Sequence, residues 1–161
     1  LELFEQNTVP SAQETDDSEL PDYIINPDME MPVTELEGNG YIGILQIPSL
    51  ELTLPVMSQW SYKGLKIAPC RYSGSGYSGS MVIAGHNDRS CFGKIGSLTE
   101  GEQVIFTDVK GRVFLYEVAG TEIVNAYDIQ GMTDEDWALT LFSCTPGGKF
   151  RVAVRCRNGS L

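Results

Sequence analysis

From Tyr41 onward, short apolar runs alternate with clusters of turn-forming residues, which is how strands separated by reversals read in a sequence. YIGILQIPSL opens the series and is closed by Pro48. Leu52 to Val56 makes a second run, and its Pro55 suits an edge or a strand end because proline brings no amide proton to a ladder. SYKGLKIAPCRYSGSGYSGS, residues 61–80, is rich in Ser and Gly and predicts irregular chain apart from one short helical turn. MVIAGH follows as a compact apolar strand, and Phe92 to Leu98 predicts a further helical turn. EQVIFTD and RVFLYEVAGTEIVNA are strand runs joined through Val109, Lys110 and Gly111, with Lys110-Gly111 at a hairpin turn. Thr133 followed by Asp134, Glu135 and Asp136 has the form of a helix start, and LTLFSC and FRVAVRCR end the series. About eight short strands with little helix predict a mostly β fold: a closed eight-stranded barrel of largely antiparallel strands with short helices in the connections, a sandwich being the alternative.

Charge divides the chain unevenly. Residues 1–40 hold eleven of its 22 acids and none of its 11 basic residues, along with Pro10, Pro21, Pro27 and Pro32. The net charge of −11 therefore belongs to that segment, which reads as an acidic linker or arm, while residues 41–161 are formally neutral and form one domain. With 161 residues, 42% of them hydrophobic, the chain has enough material for a single core. Neither part carries a basic stripe, so nucleic acid is not an expected partner. No run is long enough to cross a bilayer, and the chain opens without Met on a solvated segment, so any membrane attachment is expected through an anchor outside these residues.

The four cysteines, Cys70, Cys91, Cys144 and Cys156, lack the paired short spacings of a zinc site, and there is one histidine to help them. No metal or other cofactor is expected, and calcium dependence stays open. A disulfide framework is not expected in a domain of this size, although a single bridge such as Cys70 to Cys156 is left open by the sequence.

The candidate chemistry sits at strand ends. His86 comes straight after MVIAG, which stands its imidazole at the barrel rim; its plain alternative is a rim histidine bonded to a backbone carbonyl. Cys144 ends LTLFSC, so the two side chains meet if their strands are neighbours; otherwise it is one more buried small residue. In FRVAVRCR a period of two puts Val152, Val154 and Cys156 on one face and Arg151, Ala153, Arg155 and Arg157 on the other. Arg151 is nearest the turn and hence nearest Cys144, where a permanently charged planar donor suits a carbonyl oxygen that gains charge. A solvated arginine row is the alternative, and Arg155 replaces Arg151 if the loop is laid out differently. A free thiol, with a pKa of about 8.5, needs a neighbouring cation to become a thiolate at neutral pH, and a leaving amine needs an acid.

A strand ending in Gly85-His86, a TLxTC-like end written Thr140-Leu141-Phe142-Ser143-Cys144, and an arginine opening the next strand together resemble the sortases of Gram-positive bacteria. The resemblance runs from about Tyr41 to Arg157 and takes in YIGILQIPSL and LPV. It implies a cysteine transpeptidase with Cys144 as nucleophile, His86 as acid and base, and Arg151 at the oxyanion, with Ser143 (where many members have Thr) and Thr140 as substrate-binding residues. It implies cleavage of an LPxTG-like sorting signal on surface proteins and transfer to an amine of a peptidoglycan precursor or a pilin lysine. The expected location is the outer face of a Gram-positive cell membrane. The short stretch between Ala126 and Leu139 speaks against the class with a long helix there, and the class is otherwise open.

Other features weigh less. Gly74, Gly76 and Gly79 make a formal GxGxxG, but it precedes a strand where a dinucleotide site needs a helix. Asn158-Gly159-Ser160 is a glycosylation sequon by pattern alone. Asp88 reads as a solvated loop acid, with orientation of His86 as the alternative. Trp60, Tyr62, Tyr72 and Trp137 read as packing. Asn26-Pro27-Asp28-Met29 is the nearest approach to the cleft-covering lid of pilus-building sortases, against a plain spacer. A hydrolytic cysteine protease would use the same Cys and His, and a non-catalytic adhesin-type β domain neither.

Overall fold

The computed structural model describes residues 24, 26, 29–88, 91–125, 137–144 and 150–159, with Tyr62 and Cys144 placed by their backbone. Its strands are β1 (Thr34–Leu36), β2 (Asn39–Ile47), β3 (Leu52–Met57), β4 (Cys70–Ser75), β5 (Ser80–His86), β6 (Gln103–Asp108), β7 (Val113–Asn125), β8 (Leu139–Cys144) and β9 (Phe150–Asn158). They form one sheet in the order β1-β2-β3-β4-β5-β8-β9-β7-β6, and a further β2–β6 pairing joins its ends. Strands β2 to β9 thus make the closed eight-stranded barrel that the run pattern predicts, and β1 adds a short hairpin to β2. The connections carry α1 (Tyr62–Leu65) and 3-10 turns at Pro48–Leu50 and Ile95–Ser97. Thr133 to Asp136 lie outside the described residues.

Among the described residues, two pairings are parallel. β5 and β8 run side by side over six pairs, whereas β3 meets β4 at the single pair Met57↔Cys70. Pro55 lies where β3 is paired with β2 on one side only, which satisfies the edge condition read from its ring.

One expectation fails. Residues 70–75, read as irregular, form β4 against β5, from Cys70↔Ala84 to Ser75↔Ser80, with a bulge at Tyr72. CRYSGS has no apolar alternation, and its pairing with a strongly apolar neighbour decides its conformation, a case of context overriding strand propensity. Gly74 shows why the stretch resembled a loop: it sits at φ +73°, and a side chain there would strike the Ser80 carbonyl.

Alternation sorts the core into two clusters. Met81 and Ile83 of β5, Leu139 and Leu141 of β8, and Val154 and Cys156 of β9 belong to one, together with Leu45, Phe92 and Phe106. Val82 and Ala84, Phe142, and Ala153 from the same strands belong to the other, with Cys70, Met57 and Val124. Strands buried on both faces read as continuous apolar runs, and MVIA does. Met31, in the acidic N-terminal segment, is buried in the first cluster, so the packed chain begins ahead of Tyr41. Cys70 and Cys156 fall in different clusters and are free thiols, so the bridge left open between them is not made.

At the β6–β7 turn, Asp108 is fully buried and its Oδ1 accepts from the amides of Lys110 and Arg112, each at 2.9 Å. Gly111 takes the positive φ of that turn. Tyr77 donates its hydroxyl to Asp108 Oδ2 and accepts from Arg112 at 3.2 Å, which ties the β4–β5 hairpin to the β6–β7 hairpin. Burial, then Asp108, push the Tyr77 phenol well above its usual range. Tyr77→Phe leaves one buried carboxylate oxygen without its donor and is expected to cost about 1–3 kcal/mol. A lowered urea midpoint with an unchanged m-value is the measurement.

Candidate active site

The β5–β8 register runs from Met81↔Leu139 to His86↔Cys144, so the two sequence-selected residues are direct partners at the ends of parallel strands. β8 pairs antiparallel with β9 from Leu139↔Cys156 to Phe142↔Ala153, and two further steps of the same register bring Cys144 level with Arg151. Arg151 in turn faces Val124 on β7. Ala84, Phe142 and Ala153 share the second cluster, and a period of two assigns positions 86, 144 and 151 to that same face. The structure thus brings the three positions together at one end of three adjacent strands.

The histidine is held from behind. A Cβ on Gly85 would lie 2.3 Å from the Phe92 ring, so only glycine lets the strand close over this phenylalanine before it delivers His86. Beyond it, the Asp88 and Phe92 amides donate to the His86 carbonyl at 2.9 and 3.0 Å. His86 is 35% exposed, with Nδ1 3.3 Å from Asp88 Oδ2. A cleft of about 280 Å³ opens beside it, between β3 and the α1–β4 connection, lined among others by Pro55, Ile67, Pro69, Asp88 and Cys91. It occupies the gap where β3 and β4 fail to pair, and no sequence signal announces it.

The two arginines have different situations. Arg155 is 3% exposed, donating to Thr140 Oγ1 at 3.2 Å and to Glu122 at 3.0 Å. Arg151 is partly exposed at the end of the strand, with one guanidinium nitrogen 3.4 Å from the Phe150 carbonyl. The solvated row therefore holds at Arg157, which pairs with Glu117 at 2.6 Å, and fails at Arg155. Thr140 and Ser143, expected at the substrate, are buried in the wall; Thr140 accepts from Arg155, and Ser143 Oγ accepts from the Val152 amide at 3.3 Å. Trp60 and Tyr72 pack edge to face, and Tyr72 does the same on Phe142, two residues before Cys144. Pro27 and Asp28 of the lid-like stretch lie outside the described residues.

Cysteine, histidine and arginine positions thus stand at one lip on neighbouring strands, the residue types that thiol-dependent acyl transfer draws on. A family model described as Sortase domain matches residues 45–158, and the chain belongs to the sortase family. Among solved structures it is similar to sortase A from Corynebacterium diphtheriae, at 24% identity and a TM-score of 0.66, over 76% of this chain and 62% of that one. It is similar to sortase C-3 from Streptococcus pneumoniae at 22% identity and a TM-score of 0.66, over 85% of this chain and 74% of that one. For Listeria monocytogenes sortase A the values are 21% and 0.65, with 74% and 88% covered. No curated protein matches the chain.

The described cysteines other than Cys144 are all buried. Burial pushes the Cys91 thiol up to about 11 and Cys156 up to about 12, and raises Cys70. A thiol reagent at pH 7.5 is therefore expected to modify Cys144 alone in the folded protein and all four cysteines in denaturant, as counted by mass spectrometry.

Proposed function

We propose that this chain is a sortase-type cysteine transpeptidase that cuts an LPxTG-like sorting signal on surface proteins and joins the acyl part to an amine. The observation that supports it above others is the His86↔Cys144 register pair with Arg151 one strand further on. The Cys144 thiolate attacks the scissile carbonyl carbon, forming a C–S bond and moving the C=O electron pair onto oxygen, where the Arg151 guanidinium balances it. Collapse of that oxyanion breaks the C–N bond, and the departing amine takes a proton from the His86 imidazolium. The acceptor amine then attacks the thioester and gives a proton back to His86, and the thiolate leaves. One amide replaces another, and no cofactor enters the balance.

Other assignments follow from the same reading. Arg151 serves the oxyanion, while Arg155, buried between Thr140 and Glu122, braces the sheet. Thr140 and Ser143 act on substrate through the strand register they hold. The catalytic unit runs from Tyr41 onward, and the acidic segment before it is a spacer whose last residues pack on the barrel around Met31. The work place is the outer face of a Gram-positive cell membrane, and the acceptor is a peptidoglycan-precursor or pilin amine.

Incubating the protein with sorting peptides and amines, and reading products by mass spectrometry, tests this. The thioester on Cys144 and a ligated product are expected; cleavage without ligation in any amine would return the hydrolytic reading. Cys144→Ala is expected to abolish turnover with the fold retained, and wild-type cleavage by that variant would falsify the assignment. Arg151→Ala is expected to lower kcat about 10²–10³-fold with little change in stability, the range for losing an oxyanion donor. Arg155→Ala, by contrast, is expected to act mainly by lowering the urea midpoint.

A further inference from the structure

Asp88 has so far no part in the chemistry. Its Oδ2 lies 3.3 Å from His86 Nδ1, and among the described residues that nitrogen has no hydrogen-bond partner although it is shut away from solvent. The ring as a whole is 35% exposed, so part of it beyond Nδ1 is open to solvent. Asp88 is fixed against the ring by its own backbone: its amide donates to the His86 carbonyl at 2.9 Å, and its carbonyl accepts from the Cys91 and Gly93 amides at 3.0 and 2.7 Å. The strand end before His86 is set by Phe92 packed on Gly85. These bonds hold the backbone of both residues, and the Asp88 carboxylate stands beside Nδ1.

We propose that Asp88 is a positioning residue for His86. It accepts the Nδ1 proton, which fixes the neutral ring in the Nδ1–H tautomer and leaves Nε2 free to carry a proton to the leaving amine and take one from the acceptor. It also steadies the imidazolium that donates. The separation is that of an ion pair without full hydrogen-bond alignment, as such pairs stand before substrate arrives. Among the described residues that line the cleft, Lys66 is the other charged side chain. Asp88 is 52% exposed, so solvent screens the pair and its effect is moderate next to that of a buried carboxylate. The inference rests on His86 acting as the proton carrier of the proposed transpeptidation.

The chain has one histidine, so ¹⁵N-histidine labelling gives the spectrum of this ring alone. In the wild type the neutral ring is expected to show the Nδ1–H pattern; Asp88→Ala moves it toward Nε2–H. The same variant is expected to lower kcat about tenfold with KM within about twofold, the signature of an interaction acting on the chemical step. Asp88→Asn, which keeps an acceptor oxygen without the charge, restores the tautomer and part of kcat. Both variants keep the backbone bonds of the turn, so the fold is expected to survive. Unchanged ring signals and unchanged kcat in Asp88→Ala, with an active wild type, would overturn the proposal and leave the transpeptidase reading standing. A tautomer shift in a protein whose wild type turns over no peptide would uphold the pairing and overturn the reaction it serves.

Discussion

The site depends on the parallel pairing of β5 with β8. Parallel neighbours cannot be joined by a tight turn, so everything between His86 and Leu139, including β6 and β7, serves as the crossover. That crossover also closes the barrel, because β6 pairs back onto β2 and β7 takes up β9. A slip of one residue between β5 and β8 would send His86 and Cys144 to different levels and turn one face outward. The His86–Cys144 register and the closure of the fold are therefore a single constraint.

What holds that register is burial on both sides of the same strands. Met81 and Ile83 lock β5 into one cluster while Val82 and Ala84 lock it into the other, and Leu141 and Phe142 do the same for β8. A slip would exchange the two sets and strand apolar side chains against the wrong volumes. Polar bonds add direction: Thr140 with Arg155, and Ser143 with the Val152 amide, link β8 to β9 just below the lip. Removing a buried hydroxyl partner would leave a guanidinium without one of its acceptors, which is why such side chains are rarely interchangeable. The residues just below the lip are thus buried and bonded, while Cys144 and Arg151 occupy the strand ends.

Apolar runs made most of the barrel legible. MVIAGH, EQVIFTD and LTLFSC were visible as strands because their burial comes from their own composition. β4 was not, since CRYSGS becomes a strand through its partner, and partners are not written in a local window. The same limit explains Arg155, whose acceptor Glu122 lies 33 residues earlier on another strand. His86, Cys144 and Arg151 could be selected by residue type and strand position, but their adjacency required knowing which strands neighbour one another, and only the family resemblance spoke to that. Asp88 looked like a loop acid because it is one by exposure; the turn that faces it toward the ring is formed by backbone amides, on which sequence has little to say.

Proximity to histidine does not by itself make a thiol reactive here. Cys91 lines the same cleft as His86, yet it is buried, and that burial pushes its thiol up to about 11. The backbone groups of His86 and Phe92 pull the other way and do not offset the loss of solvent. A thiolate at neutral pH needs a cation that reaches the sulfur as well as a setting that does not penalise charge. Position 144 lies at a strand end, level with residue 151 when the β8–β9 register is continued, whereas Cys70, Cys91 and Cys156 sit inside apolar packing. The fold thus buries three thiols, two on strands and Cys91 in the turn after β5, and sets the fourth cysteine, Cys144, at the end of β8.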